Sequence, residues 1–202
     1  MKFESGNLYH IYNRGNNSQP IFFDRGNYLF FLTKIRTHLS PLVDILAYCL
    51  MPNHFHLLVF VPSHNNSKNS SGDSKSPDEL NKKVVAAIAI ILRSYTRAIN
   101  KKHNRSGSLF QSKTKAKNLS ENETHAFTCF HYIYQNPVSA GLVSSMSGWE
   151  FSSYQDYTAN KNGTLYNKQL ANNLLDIPFE PSLFIQQSKG VKIDDKEKGY
   201  LL

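Results

Sequence analysis

The chain has 202 residues, enough for one domain with a substantial core, and its 40% hydrophobic content is typical of a globular protein. Lys and Arg number 23 against 15 Asp and Glu, and this net charge of +8 favours a polyanionic partner. The two cysteines form no Cys-x-x-Cys pair, which argues against a disulfide scaffold and a zinc finger. No apolar run is long enough to cross a bilayer, so we expect no membrane partner and a cytoplasmic protein.

The first third of the chain predicts three strands and one helix. A short strand over 8–12 ends in turn-forming residues, and a helix with apolar residues at helical spacing follows over 27–38, capped by Asn27. Two more strands, 43–50 and 54–61, are separated only by a tight Pro-Asn break, which indicates a β-hairpin. The polar segment 63–77 is predicted to be a mobile loop.

The middle of the chain predicts two further helices. A long helix begins at Pro77 or Asp78 and reaches Lys102, a basic extended stretch covers 109–119, and a last helix begins at Asn122 or Thr124. We expect Pro137 to end this helix. The order β-α-β-β-α-(β)-α predicts an α+β fold of the ferredoxin-like kind, an antiparallel sheet with helices on one face. Residues 1–157 would form the domain and 158–202 a C-terminal extension that is partly disordered.

A pair of histidines stands on the third predicted strand. Since side chains alternate along a strand, His54 and His56 share one face, while Phe55 and Leu57 point into the core. Two imidazoles placed in this way can hold one divalent metal. An isolated pair of this spacing is more often two ordinary hydrogen-bonded histidines, so a metal site needs further ligands elsewhere in the chain.

The helix over 123–136 contains two tyrosines that a helical wheel separates. Tyr134 falls on the apolar stripe beside Phe130, whereas Tyr132 and Asn136 share the opposite, polar side, where we expect them to face outward. A tyrosine oxygen can attack phosphorus and form a covalent phosphotyrosine. The amide oxygen of Asn136 could complete a site for Mg²⁺ or Mn²⁺, with Mn²⁺ the better match to imidazole. The alternative for Tyr132 is an ordinary surface side chain.

Basic residues are concentrated in one part of the chain. No acidic residue occurs between Glu79 and Glu121, which predicts a phosphate-binding face there. Lys113, Lys115 and Lys117 alternate, so an extended backbone would align them in one row. A solvated surface with an edge strand protected by lysines is the alternative. The basic residues of this interval are Lys82, Lys83, Arg93, Arg97, Lys101, Lys102, Arg105, Lys113, Lys115 and Lys117.

These motifs together resemble the REP-associated tyrosine transposases, a branch of the single-tyrosine HUH transposases. The segments that match are YHIYNRG at 9–15, IFFD at 21–24, AYCLMPNHFHLL at 47–58, GSLFQSK at 107–113, YIYQNPVSAG at 132–141 and WEFSSYQDY at 149–157. They occur in the family's order and cover about residues 1–157. The chain departs from the family in a longer segment at 63–77, in Ser139 where a basic residue is expected, and after Tyr157.

The resemblance implies an RRM-like fold, His54 and His56 as metal ligands with Asn136 as the third, and Tyr132 as the nucleophile. It implies a partner of single-stranded DNA with palindromic hairpins, cleaved through a 5′-phosphotyrosine and rejoined by a monomer or homodimer. Two alternatives stay open: a domesticated protein that binds palindromic repeats without cleavage, and an RNA-directed metal nuclease. The candidate DNA-binding residues are Asn13, Arg14, Arg93, Arg97, Lys101, Lys102, Arg105, Lys113, Lys115 and Lys117.

Overall fold

A four-stranded antiparallel sheet forms the centre of the protein, seen in a computed structural model that describes residues 1–63, 77–158, 163–195, 197 and 199. The strands are β1 (Leu8–Arg14), β2 (Asp44–Met51), β3 (His54–Phe60) and β4 (Lys115–Asn118), in the spatial order β2-β3-β1-β4. The helices are α1 (Arg25–His38), α2 (Pro77–Lys102), α3 (Glu123–Ser139), α4 (Tyr154–Thr158), α5 (Lys168–Leu175) and α6 (Pro181–Gly190). Most of the predicted loop at 63–77 lies outside the described residues.

The predicted hairpin is confirmed, and its turn is firmly held. Only Pro52 and Asn53 separate β2 from β3, and their carbonyl oxygens accept hydrogen bonds from the amides of Gly15, Ile21 and Phe22. Gly15 itself has no room for a side chain, because a Cβ there would lie 2.1 Å from the carbonyl oxygen of Gln19. The turn between β2 and β3 is therefore anchored to the segment that follows β1.

Helices cover both faces of the sheet. The predicted α+β antiparallel class is confirmed, and α1 and α2 lie on one face, where they bury Phe55 and Leu57 of β3. Helices α3 to α6 add a layer on the opposite face, against residues such as Cys49 and Leu58, so the expectation of helices on one face alone is incomplete. The continuous burial of β2, from Ile45 to Met51, is typical of a strand covered on both sides.

The helix ends differ from the predictions at two places. Asp24, and not Asn27, caps α1, since its carboxylate accepts from the amide of Asn27. Asn122, one of the two predicted starts, caps α3, but α3 continues past Pro137 to Ser139. A proline removes only one intrahelical hydrogen bond, and here it lies in the last turn, where the amides of Ala140 and Leu142 close the helix end.

The C-terminal helices α4 to α6 pack in the hydrophobic core on the side of the sheet that α3 covers. Phe184 of α6 is fully buried, and its ring centroid lies 5.1 Å from that of Tyr157 and 6.3 Å from that of Phe130. Cys49 and Cys129 are free and buried. The division of the chain at residue 157 stays a prediction. None of the helices in the described part of the chain is long and apolar enough to span a membrane.

We expect Phe184→Ala to lower the free energy of unfolding by about 3–5 kcal/mol, because it leaves a cavity among aromatic rings. Urea denaturation of the full chain measures this loss. Leu183→Ala is the matched control on the same helix, because Leu183 is 53% exposed and should change the midpoint little. Equal midpoints for the two variants would show that α6 does not pack on the domain.

Candidate active site

The two histidines of β3 face α3 from the sheet. His54 and His56 lie on one side of the strand with ring centroids 4.9 Å apart, and Phe55 and Leu57 are buried on the other side, as predicted. His56 is 1% exposed and His54 is half-buried, because His54 lies at the start of the strand, beside the Pro-Asn turn. The pair therefore runs from the buried layer between sheet and helix towards the protein surface.

Helix α3 brings Tyr132 and Asn136 to the same place. The ring centroid of Tyr132 lies 5.6 Å from that of His56, and the side chain of Asn136 hydrogen-bonds with His54. The amide nitrogen of Asn136 also donates to the carbonyl oxygen of Tyr132, at 2.7 Å. Sequence reasoning correctly placed these two side chains on one side of the helix and Tyr134 in the core.

The expected outward orientation of Tyr132 is wrong. Tyr132 is only 7% exposed, because the polar side of α3 packs on the sheet. Its apolar stripe, which the wheel took as the buried side, faces instead the rings of α4 and α6, where Phe130 and Tyr134 contact Phe184. A helix buried on two sides gives no simple inside-outside pattern, so the wheel alone could not distinguish the sheet from solvent.

A third histidine, absent from the sequence prediction, completes the buried layer. His10 of β1 is fully buried, and its Nε2 lies 2.9 Å from Nδ1 of His56. Tyr12 is on the same face, with its ring centroid 6.0 Å from that of His56. Alternation along the first predicted strand puts His10 and Tyr12 on one face, but only the β1–β3 pairing, which the sequence pattern did not give, shows that this face is the site.

Both histidines of β3 are neutral in this environment. Burial lowers the pKa of His54 to about 4, Arg14 acts in the same direction and Asn136 opposes them. Burial, followed by His10 and His54, holds the pKa of His56 well below its ordinary 6.5. Neutral imidazole is the form that binds a metal.

The donor set fits a divalent metal. Nδ1 of His54 lies 2.6 Å from Oδ1 of Asn53, which leaves Nε2 as its lone-pair atom, and Nε2 of His56 is buried without a hydrogen-bond partner among the described residues. The same part of the chain contains no group of three or more His, Cys, Asp or Glu that could hold a metal. The side chain of Asn136, which hydrogen-bonds with His54, is the candidate for a third protein ligand.

The tyrosine hydroxyl keeps its proton at neutral pH. Burial raises the pKa of Tyr132 to about 12, and a hydrogen bond with Asn136 opposes this shift. A phenol with this pKa attacks phosphorus only if the proton is removed or the negative charge is stabilised during the reaction.

The predicted basic residues do not form a single face. Arg93 and Arg97 line a cavity of about 670 Å³ between α2 and the loop before β4. Lys115 and Lys117 of β4 pair with Tyr12 and His10, so they lie on the opposite side of the sheet, the side of the site. Of the three alternating lysines, Lys115 and Lys117 lie in β4 and Lys113 precedes it, so the row of three stays a prediction.

The remaining candidate DNA-binding residues differ in how accessible they are. Asn13 is 4% exposed and its amide nitrogen donates to Oγ1 of Thr114, so it holds a loop and offers little to a ligand. Arg14 is exposed and lies directly opposite His54 in the pairing of β1 with β3. Lys102 is paired with Asp24 at 2.5 Å. Lys101 is exposed and Arg105 is half-buried.

Comparison with known proteins finds similarity in structure and not in sequence. No protein-family model and no curated protein matches the chain. Among solved structures, the fold is similar to that of a REP-associated tyrosine transposase bound to a REP hairpin, with a TM-score of 0.54 and 18% identity over 83% of this chain and 86% of that chain. A bacterial tRNA(His) guanylyltransferase (Thg1)-like protein in complex with GTP has a TM-score of 0.45 and 12% identity over 73% and 70% of the two chains.

This chain has the fold of a tyrosine transposase. The structural match agrees with the resemblance noted from the sequence motifs, and it extends over most of both chains. At 18% identity it shows the fold alone, so the roles of individual residues depend on the geometry described above.

We expect stability to fall in mild acid partly through His131, the neighbour of Tyr132 on α3. Burial against Phe184 lowers the pKa of His131 to about 4, with Gln187 opposing. The unfolded chain binds this proton near pH 6.5, so the stabilisation is complete above that pH and is lost as pH falls towards 4. When the pH is lowered from 7 to 4.5, the free energy of unfolding of His131→Leu should fall by about 2 kcal/mol less than that of the unsubstituted protein. Urea denaturation at the two pH values measures both losses. Because the other histidines titrate equally in both proteins, identical losses would contradict a buried neutral His131.

Proposed function

We propose that this protein is a metal-dependent DNA strand transferase that cleaves hairpin-forming single-stranded DNA through a 5′-phosphotyrosine. The observation that carries the proposal is the convergence of Tyr132 and Asn136 from α3 with His54 and His56 from β3. A phenol, two neutral imidazoles and an amide in one layer match the groups required by nucleophilic attack on a phosphodiester next to a metal.

The chemistry assigns a separate part to each side chain. The oxygen of Tyr132 forms a bond to phosphorus, the bond from phosphorus to the 3′ oxygen breaks, and that oxygen leaves as a 3′-hydroxyl after taking up a proton. The tyrosine proton passes to solvent. Rejoining is the reverse reaction with an incoming 3′-hydroxyl. His54, His56 and Asn136 would hold Mg²⁺ or Mn²⁺, which supplies polarisation of the scissile phosphate when bound.

Two basic side chains lie on the side of the protein from which a DNA strand would approach. Arg14 is exposed opposite His54, and Lys115 is exposed opposite Tyr12, so both lie at the rim of the layer that contains Tyr132. Phosphates held at this rim would place the scissile bond near the histidines. Since Tyr132 is 7% exposed, its hydroxyl must be uncovered when the strand binds.

A hairpin-binding protein without cleavage activity is the second candidate. The low exposure of Tyr132 favours it. This candidate shares the fold and the basic residues, and it differs in forming no covalent product. A covalent-adduct assay separates the two.

We expect a covalent protein–DNA adduct when the protein is incubated with a hairpin-bearing single strand and Mn²⁺. Tyr132→Phe should abolish the adduct, because it removes the attacking oxygen and leaves the ring in place. Tyr12→Phe is the matched control, since Tyr12 also lies beside His56 and should be dispensable for attack. Adducts are separated on denaturing gels and their site is read by mass spectrometry.

Each outcome of this assay has one interpretation. An adduct that persists in Tyr132→Phe and disappears in Tyr12→Phe would reassign the nucleophile. Tight hairpin binding with no adduct in any protein would favour the non-catalytic candidate. Cleavage of the ribose hairpin and not the deoxyribose hairpin would indicate an RNA-directed nuclease.

We expect the cavity of Arg93 and Arg97 to contact DNA phosphates. In the described part of the chain no carboxylate forms an ion pair with either arginine. Arg93→Ala and Arg97→Ala should each weaken hairpin binding and reduce the slope of log affinity against log salt by about 1. Lys82→Ala is the control on the same helix, because Lys82 is paired with Asp78. Fluorescence anisotropy at several salt concentrations measures the slopes. Unchanged slopes in both arginine variants would show that this cavity does not contact DNA phosphates.

A further inference from the structure

His10 is buried beside His56. The two rings are stacked with centroids 5.0 Å apart, and Nε2 of His10 is 2.9 Å from Nδ1 of His56. Register explains the contact, because β1 and β3 are central neighbours and His56 is opposite Tyr12, two residues from His10. Both histidines are almost completely buried, at 0% and 1% exposed.

A hydrogen bond between these rings links the protonation of one to that of the other. Between two neutral imidazoles one nitrogen must donate and the other must accept. If Nδ1 of His56 donates, its Nε2 carries a lone pair. If Nε2 of His10 donates, Nε2 of His56 carries a hydrogen and cannot bind a metal.

The neighbouring His54 shows which arrangement suits the site. Oδ1 of Asn53 accepts from Nδ1 of His54, and the orientation of this amide is fixed because its nitrogen donates to the carbonyl oxygen of Ser18. His54 thus presents the lone pair of Nε2. Only when Nδ1 of His56 donates to His10 do both histidines present lone pairs, and Nε2 of His56 is the buried atom that has no protein partner among the described residues.

We infer that His10 is a positioning residue, which accepts a hydrogen bond from Nδ1 of His56 and thereby holds the Nε2 lone pair of His56 ready for a divalent cation. This inference rests on the proposed function, because the tautomer is assigned as the one that leaves both histidines able to bind the cation. Groups that orient a metal-binding histidine in this way usually contribute about 10–100-fold to metal affinity. Here the orienting group is an imidazole that is 0% exposed.

Nitrogen NMR of protein with ¹⁵N-labelled histidine tests the tautomer without metal or DNA. We expect His56 to have its proton on Nδ1 and the chemical shift of an unprotonated nitrogen at Nε2. His10→Phe fills the same space without an acceptor, so the proton of His56 should move wholly or partly to Nε2. His10→Gln restores an acceptor and should keep the proton on Nδ1. A proton on Nε2 of His56 in the unsubstituted protein would overturn the inference.

Calorimetric titration with Mn²⁺ alone gives the second measurement. Affinity should fall about 10–100-fold in His10→Phe and recover most of that loss in His10→Gln. His103→Gln, a change of an exposed histidine beside Phe23, is the control and should leave affinity unchanged. An affinity in His10→Phe within twofold of the unsubstituted protein would overturn the positioning role.

The two proposals fail in different ways. No Mn²⁺ binding by the unsubstituted protein, with the expected His56 tautomer, would refute the metal-dependent function and leave the link between His10 and His56 supported. The opposite tautomer, with a Tyr132 adduct still formed in Mn²⁺, would refute only the inference about His10. If His10→Phe does not fold, as judged by near-ultraviolet circular dichroism, the unsubstituted protein and His10→Gln still decide the tautomer.

Discussion

Helix α3 lies against the sheet face that carries the histidines, and the remaining features of the site follow from this contact. The packing buries Tyr132 and brings Asn136 to His54, so groups from distant parts of the chain share one layer. The same burial keeps the imidazoles neutral and the phenol protonated, since each charged form would lose its hydration. The contact is itself supported from behind, because α4 and α6 press their aromatic rings on the outer side of α3.

Local sequence patterns were sufficient to predict the secondary-structure elements and part of the candidate site. The Pro-Asn break between two apolar runs specifies the hairpin, and strand alternation puts His54 and His56 on one face, because both signals depend on neighbouring residues only. The spacing of Tyr132 and Asn136 likewise needs only helical geometry. The predicted α+β class follows from the order of these elements.

The features that the sequence did not predict depend on contacts between distant segments of the chain. His10 belongs to the site because β1 pairs with β3, and Tyr132 is buried because a second layer covers the sheet. Arg93 and Lys115 lie on opposite sides of the sheet. The charges along the sequence do not reveal this, because it depends on where β4 pairs. Helix α6 gave weak signals because its burial depends on a few aromatic contacts, such as that of Phe184 with Tyr157.

The histidines and the tyrosine are held by different hydrophobic cores. Phe55 and Leu57 anchor β3 in the core under α1 and α2, whereas Tyr132 belongs to the core formed with α3 to α6. Substitutions in one core can therefore be accommodated by repacking on that side of the sheet. The side chains that the other core holds then keep their positions. Such an arrangement lets a lineage lose Tyr132 and retain the histidine pair, or the reverse, without losing the fold.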